Sequence, residues 1–501
     1  MLTILSIKPL LAVLVSLIAA PLILTSGNRP NLREFWSILA GVIKFGLVIS
    51  MVPVILGGNT IEYTLFSFYE GIDIKFRVDA FGLLFATVSS FLWIVTTFYS
   101  IGYMRSNKEH AQTRYYTCFA ISLSSTIAVA FSANLITLFF FYEALSLATV
   151  PLVGHKETPE AQAGARKYFL YLVGLSKTLL LAGVIIIYTQ MGTTDFVNGG
   201  LLKNATGSTL LFVTFFLFLF GFAKGGVMPV HNWLPSAMVA PTPVSALLHA
   251  VAVVKVGVFS ILRVVFHTYG VDAMTRMDIG TVATYIVAFT ILVASIIALT
   301  KDNLKARLAY STVSQLSYVI LGAVLLTPLS MTGGMVHIAN HAFSKITLFF
   351  CAGSLYTAAH MTEVSQLTGI GKKMPLTMAA FFVASLSMIG VPPAAGFVSK
   401  WYIALGSIEA HQLPILIILL VSTVLNAAYF LPITYKAFFE KKEETVHGHG
   451  NPGGHDHDHG HHAEIREIPM VAGPLLLTAI ISLIIGIYPN YFLSLAQEAL
   501  R

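Results

Sequence analysis

Residues 208–238 read STLLFVTFFLFLFGFAKGGVMPVHNWLPSAM, and the fold turns on how this stretch is understood. It is apolar and long enough to cross a bilayer, yet its middle holds Lys224, Gly225, Gly226 and Pro229. Proline inside a helix removes a hydrogen bond and frees carbonyls, which a membrane tolerates only where they face protein or a polar cavity. A lysine at the same break adds a charge that costs at least ~2.5–3.5 kcal/mol at the bilayer centre. The stretch therefore reads as a transmembrane helix broken at a polar site. Residues 387–401, SMIGVPPAAGFVSKW, have the same character, with Gly390, Pro392, Pro393 and Lys400. Either break alone can be an ordinary proline kink; two broken helices in corresponding halves of a chain point to an ion pathway.

The rest of the chain fits a membrane setting. Of 501 residues, 56% are hydrophobic and 11% charged, and the mean hydropathy is +0.78. Soluble domains carry about 25% charged residues, so a disordered tail, a collagen and most soluble enzymes are excluded. A helix needs about 20 apolar residues to cross the hydrocarbon core. Reading along, fourteen runs approach or exceed that length: 2–25, 35–57, 79–103, 114–131, 133–154, 162–190, 208–238, 241–267, 277–300, 305–327, 331–359, 374–407, 411–438 and 468–492. The predicted fold is an all-α polytopic membrane protein of about fourteen transmembrane helices. Residues 58–78 alternate in polarity and predict a short hairpin on the outer face. The leading run has only Lys8 as a basic flank and no clear cleavage site before Pro21, so it reads as an uncleaved first span. Cys118 and Cys351 stand singly in apolar segments, which excludes a disulfide framework or an iron–sulfur site and leaves two small core hydrophobes.

The formal net charge is +7, from 30 Lys+Arg against 23 Asp+Glu. Seventeen of the basic residues fall in loops after odd-numbered spans and four in loops after even-numbered ones. That asymmetry is a topology signal and not a nucleic-acid surface; it puts the first set in the cytoplasm and both termini outside. At an offset of 168 residues, GLSKTLLLAGVIIIYT (174–189) lies over AFSKITLFFCAGSLYT (342–357), and Trp233 over Trp401. The offset carries spans 4–8 onto spans 9–13, an odd shift that inverts orientation, so two inverted five-helix repeats are predicted, each with a broken helix at span 7 or 12. The expected divisions are 1–113, a three-span segment with the hairpin; 114–268 and 269–438, the two repeats; 439–467, a His-rich cytoplasmic loop; and 468–501, the last span. The loop's tract at 447–462, HGHGNPGGHDHDHGHH, holds seven of the sixteen histidines. Gly and Asp interleaving gives it no fixed ligand geometry, so it reads as a solvated loop.

Charges inside the spans carry the functional argument, because intramembrane ionisable residues mark functional sites by default. The basic ones are Lys44, Lys177, Lys224, Lys255, Lys345, Lys400 and Arg263, the last close enough to the outer end of its span to snorkel. Among the acidic residues only Glu143 lies near the middle of a span. The mid-membrane cations are all lysine. Arginine stays protonated in any surroundings whereas buried lysine can titrate, so the choice favours proton transfer over a structural ion pair. In MVHIANHAFSKITLFF (335–350), His337, His341 and Lys345 recur every four residues, about 6 Å apart along one helix face. Histidine titrates near neutral pH, so this stripe can relay protons through water. The plainer reading is two histidines bonded to neighbouring helices, and a zinc reading lacks a third ligand. His249 and Lys255 lie on the eighth span; His249 and Lys177 are supporting candidates. A dinucleotide-binding glycine motif, a P-loop and a cysteine cluster are all absent, so no catalytic residue, cofactor or metal site is expected and the chain is read as a transporter subunit and not an enzyme.

Together, Glu143 on the fifth span, Lys224 on the broken seventh, Lys255 on the eighth, the histidine stripe on the eleventh and Lys400 on the broken twelfth resemble the antiporter-like subunit family. Its members are membrane subunits of respiratory complex I and of the Mrp multi-subunit cation/proton antiporters. The strings GGVMPVHNWLPSAM (225–238) and KDNLKARLAYSTVSQLSY (301–318) carry the resemblance, which covers all fourteen runs. Within the family the pattern is most similar to the D-type Mrp subunits. The complex I subunit of similar length usually has Glu at the Lys400 position, another has Lys at the Glu143 position, and the A-type Mrp subunits are longer at the C-terminus. The 447–462 tract departs from the family pattern.

The resemblance implies a proton relay. Ionised Glu143 holds Lys224 protonated; withdrawing Glu143 lets the proton pass through Lys255 and the span 11 stripe to Lys400 and one membrane face. It further implies other membrane subunits as partners, a bacterial plasma membrane as location, and Na+ export driven by inward proton flow. Two other readings stay open: a proton-pumping subunit of complex I or a membrane-bound hydrogenase, and a scaffold for active partners.

Overall fold

The computed structural model describes residues 2–441 and 465–501, so the 447–462 tract lies outside the described residues. Among the described residues, ten helices are long and apolar enough to cross a membrane. Helices Gln112–Ala130 and Leu304–Val324 stand where the fourth and tenth spans are predicted, and the predicted seventh and twelfth spans are broken. Helix starts are fixed by side chains that satisfy otherwise unpaired backbone N–H groups. Asp79 Oδ1 accepts from the Gly82 amide at 2.8 Å, and Asn134 Oδ1 from the Thr137 amide at 2.7 Å. Thr327 and Ser330 form a reciprocal capping box at the start of Pro328–Ala359.

Burial sorts the helices into centre and rim. The eighth-span segment Thr242–Arg276 is enclosed as far as Gly270, and Ala80–Ser106 and Pro328–Ala359 are mostly enclosed. Pro30–Leu56, Pro159–Met191 and Leu413–Phe439 bury one face and present apolar residues outward on the other. Two of these three helices carry the candidate residues: Lys255 and His249 on one, the histidine stripe on the other.

The predicted hairpin is present as antiparallel strands Thr60–Tyr69 and Ile72–Val78, with Ile61 opposite Val78 and Tyr63 opposite Phe76. A third strand, Thr3–Leu5, pairs in parallel with Thr60–Tyr69. This corrects the first predicted span, which begins at Lys8 and not at residue 2. The reason is backbone pairing: Thr60 N–H donates to the Leu2 carbonyl at 3.0 Å and Ser6 N–H to the Glu62 carbonyl at 3.1 Å, so the apolar leader covers the hairpin's open edge.

Arg263 also departs from expectation. It is 1% exposed and does not snorkel. Its guanidinium meets the Asp79 carboxylate in a bidentate pair, Nη2 to Oδ1 at 2.7 Å. The helix-capping Asp79 supplies a counter-charge within the protein, which removes the need to reach the interface.

Candidate functional site

The first break is built to hold Lys224. Helix Thr209–Gly221 ends, a short turn spans Ala223–Gly225, and Gly226 takes the left-handed conformation at φ +70°. The carbonyls freed by the break find donors: Ser176 Oγ donates to Gly221 O at 2.5 Å, and Trp233 Nε1 to Ala223 O at 2.9 Å. Lys224 Nζ donates to Tyr142 O at 2.9 Å and to Ser146 Oγ at 2.6 Å, with the ammonium 3.1 Å from the centre of the Tyr142 ring. The lysine thus docks on the fifth-span helix Leu135–Val153, one residue from Glu143. The eighth span closes the other side at Gly257, where a Cβ would lie 2.2 Å from Gly225 N and 2.3 Å from Lys224 C. Only glycine admits so close an approach.

Glu143 is half-buried and its carboxylate oxygens are enclosed, yet neither makes a hydrogen bond. Lys224 and Lys177 are the cations that act on it. Lys177 sits on Ser176–Met191, on the outward face of the chain and not in the core.

From the eighth span the site continues to the eleventh. Lys255 Nζ bonds to His341 Nδ1. The His341 and His337 rings are stacked with centroids 6.0 Å apart. His337 Nε2 bonds to Gln315 Oε1 at 3.1 Å and Nδ1 to Ser399 Oγ at 2.8 Å. An amide oxygen only accepts, so with Gln315 oriented this way His337 donates from Nε2. Lys345 leaves this line: its ammonium donates to Ser311 Oγ, and to Leu308 O at 3.3 Å. His249 is buried with both ring nitrogens unbonded, beside the Phe349 ring at 5.0 Å. It lies in a wide π-helical turn, Leu247–Val251, inside the eighth span.

The second break brings in Lys400. Helix Pro375–Ile389 ends at Gly390, φ +95°, and the chain resumes as helix Ala395–Glu409 past Pro392 and Pro393. Lys400 Nζ donates to Met388 O at 2.7 Å and Ile389 O at 3.1 Å, capping the end of the first half-helix. It also stands 4.7 Å from the Tyr318 ring centre, and that ring lies 5.8 Å from His337. Lys255, His341, His337, Tyr318 and Lys400 therefore form one run of neighbours through the enclosed centre.

The sequence does not single out Tyr142, Ser146, Gln315, Tyr318 or Ser399. Each is neutral, and neutral polar residues are common in membrane helices. Lys44 is a further buried cation away from this run; it bonds to Ser16 Oγ and lies 4.8 Å from the Trp93 ring centre.

A family model described as NADH:quinone oxidoreductase/Mrp antiporter, TM, matches residues 132–426, which contain Glu143, both breaks and every other member of this run. The chain belongs to that family. NADH-quinone oxidoreductase subunit N of Desulforudis audaxviator is 31% identical over 376 residues, covering 74% of this chain and 73% of the relative. The putative antiporter subunit mnhA2 of Staphylococcus haemolyticus is 29% identical over 447 residues, and this chain spans 55% of its length. Two solved structures share the fold over 99% of this chain and 97% of theirs: the Mrp complex from Dietzia sp., TM-score 0.83 at 22% identity, and the archaeal membrane-bound sulfane sulfur reductase, TM-score 0.86 at 23% identity. The chain is thus an antiporter-type, multi-pass membrane subunit of the kind found in both Mrp and complex I-like assemblies.

Proposed function

We propose that this chain is the proton-translocating subunit of a multi-subunit Na+/H+ antiporter of a bacterial plasma membrane, of the Mrp D type, assembled with other membrane subunits and performing no covalent chemistry. The observation that carries the proposal is the buried run from Lys255 through His341, His337 and Tyr318 to Lys400. These groups titrate or stack within water-bridging reach of one another, and the two ends of the site lie at the two helix breaks.

Lys224 feeds the run. Its ammonium is held by a carbonyl and a hydroxyl, while the Glu143 carboxylate makes no hydrogen bond. We read this as the separated form of the pair, in which the two act on each other without an ion-pair contact. Bringing Glu143 to Lys224 favours the protonated lysine; separation leaves the charge supported only by neutral dipoles and releases the proton toward Lys255. Coupling that cycle to Na+ needs partner subunits.

The test uses inverted vesicles carrying the whole complex, energised by ATP with no electron donor. Added Na+ collapses ΔpH in the wild type, and Glu143→Ala or Lys224→Ala in assembled complex abolishes the collapse. Normal collapse in either variant sinks the proposal. The identity with an NADH-quinone oxidoreductase subunit favours a second reading, a proton pump driven by electron transfer. Under that reading Na+ has no effect and pumping appears only with a donor.

A further inference from the structure

The loops after the third and fifth spans, both on the basic side of the chain, meet at Glu109, His110 and His155. One ligand atom from each lies within 4.8 Å of the other two. His155 is fully buried, and neither ring nitrogen makes a hydrogen bond, although the His110 backbone acts on the ring. His110 is exposed and its ring stacks on that of His155, centroids 5.0 Å apart at 29°. Stacking accounts for the ring planes. It does not account for a buried imidazole whose ring nitrogens no side chain bonds, a feature that a bound water or ion would explain.

Other charges surround the site: Glu157 Oε1 lies 3.9 Å from His110 Nε2, and Lys305 acts on Glu109. Arg114 is engaged by Glu157, Nη1 to Oε1 at 2.5 Å, and donates to the His155 carbonyl at 3.1 Å. Arg105 is engaged by Glu34. Lys108 at φ +49° and Ala111 at φ +48° flank the donor pair in left-handed conformations that only a constrained loop keeps.

We propose that Glu109, His110 and His155 bind a divalent cation of the zinc class, tying the loop after the third span to the loop after the fifth. Two imidazoles and one carboxylate form a donor set suited to zinc, with the fourth position left to water. Ligand atoms on one zinc stand about 3.3 Å apart, so the exposed His110 must turn out of its stack, and half-buried Glu109 must close, for both to join His155 on one ion. Asn107 Nδ2 also donates to Thr357 Oγ1 at 2.9 Å, so the bound ion would brace the same-side end of the eleventh span as well. No metal site is legible in the sequence because His155 lies a whole span away from the adjacent Glu109 and His110.

The test uses the full chain, in the assembly in which it is purified, with the seven histidines of 447–462 changed to serine so that they contribute no chelation. Zn2+ is added, excess is removed on a chelating resin, bound metal is counted by mass spectrometry and its ligands are read by X-ray absorption. We expect one zinc with two-imidazole scattering that is lost in His110→Ala and in His155→Ala, and a Kd at least tenfold weaker in Glu109→Gln. Should His155→Ala fail to assemble, the exposed His110→Ala decides alone. Failure to retain zinc, or retention by His110→Ala with unchanged amount and spectrum, overturns the site.

Discussion

The Lys400 ammonium has no carboxylate partner in the hydrogen bonds it makes; two carbonyls at the end of a half-helix and the face of Tyr318 surround it. The C-terminal end of a helix carries partial negative charge, which supports a cation without fixing it as an ion pair would. A compact three-donor head suits that cradle, whereas a planar guanidinium would remain charged and could not release its proton. Lys400→Met keeps the chain length and removes both the charge and the donor. We expect it to lower stability by about 1–2 kcal/mol through the two carbonyls left unpaired, and to slow the Na+-driven collapse of ΔpH at least tenfold in complex that still assembles. Wild-type rates in that complex would remove Lys400 from the pathway. The lysine itself was legible as a charge in an apolar run, whereas its cradle was not. Nothing in the spelling of residues 387–401 says that Lys400 turns back onto Met388 and Ile389, or that Tyr318, eighty-odd positions earlier by roughly the span of three helices, supplies the ring above it.

At the scale of elements, the two breaks were readable and the π-helical turns were not. Gly-Gly-x-x-Pro at 225–229 and Gly-x-Pro-Pro at 390–393 announce where helical hydrogen bonding must fail. LLHAVAVV at 247–254 contains neither residue, yet the eighth span opens into a π-helical turn at Leu247–Val251. Such turns recur at functional sites, and this one carries His249 into the enclosed centre, against Phe349 of the eleventh span. Gly257, on the regular helix beyond, shows how the elements interlock. A methyl group there meets the backbone of Lys224 and Gly225, which cannot give way as a flexible side chain can. Gly257→Ala should cost about 1–3 kcal/mol by overpacking and displace the break, reducing transport tenfold or more. Because the damage acts through Lys224, adding it to Lys224→Ala should produce no further loss in the vesicle assay; an additive loss would mean that Gly257 serves something else.

For the molecule as a whole, the distribution of charge says where it is incomplete. The described residues enclose Lys224, Lys255, Lys345 and Lys400, but Lys177 projects from the middle of Pro159–Met191 onto the outward face. Around it Leu170, Leu175, Leu181 and Ile185 form an exposed apolar stripe, continued on the fifth span by Phe140 and Leu147. An ammonium facing lipid at that depth costs at least ~2.5–3.5 kcal/mol. Glu143, on which Lys177 acts, lies behind the stripe and offsets part of that cost. The family relatives are subunits of larger assemblies, and a neighbouring subunit seated over this face would take both charges out of lipid. Cysteine placed at Lys177 in the intact complex should therefore crosslink to an adjacent membrane subunit with a short bifunctional reagent and resist a lipid-soluble maleimide. Rapid maleimide labelling without crosslinking, in complex shown to be assembled, would mean that this face meets lipid. Lys177 would then have to be held by Glu143 alone, and Glu143 would be less free to engage Lys224. The two outcomes thus distinguish a relay gated from within this chain from one gated by its neighbour.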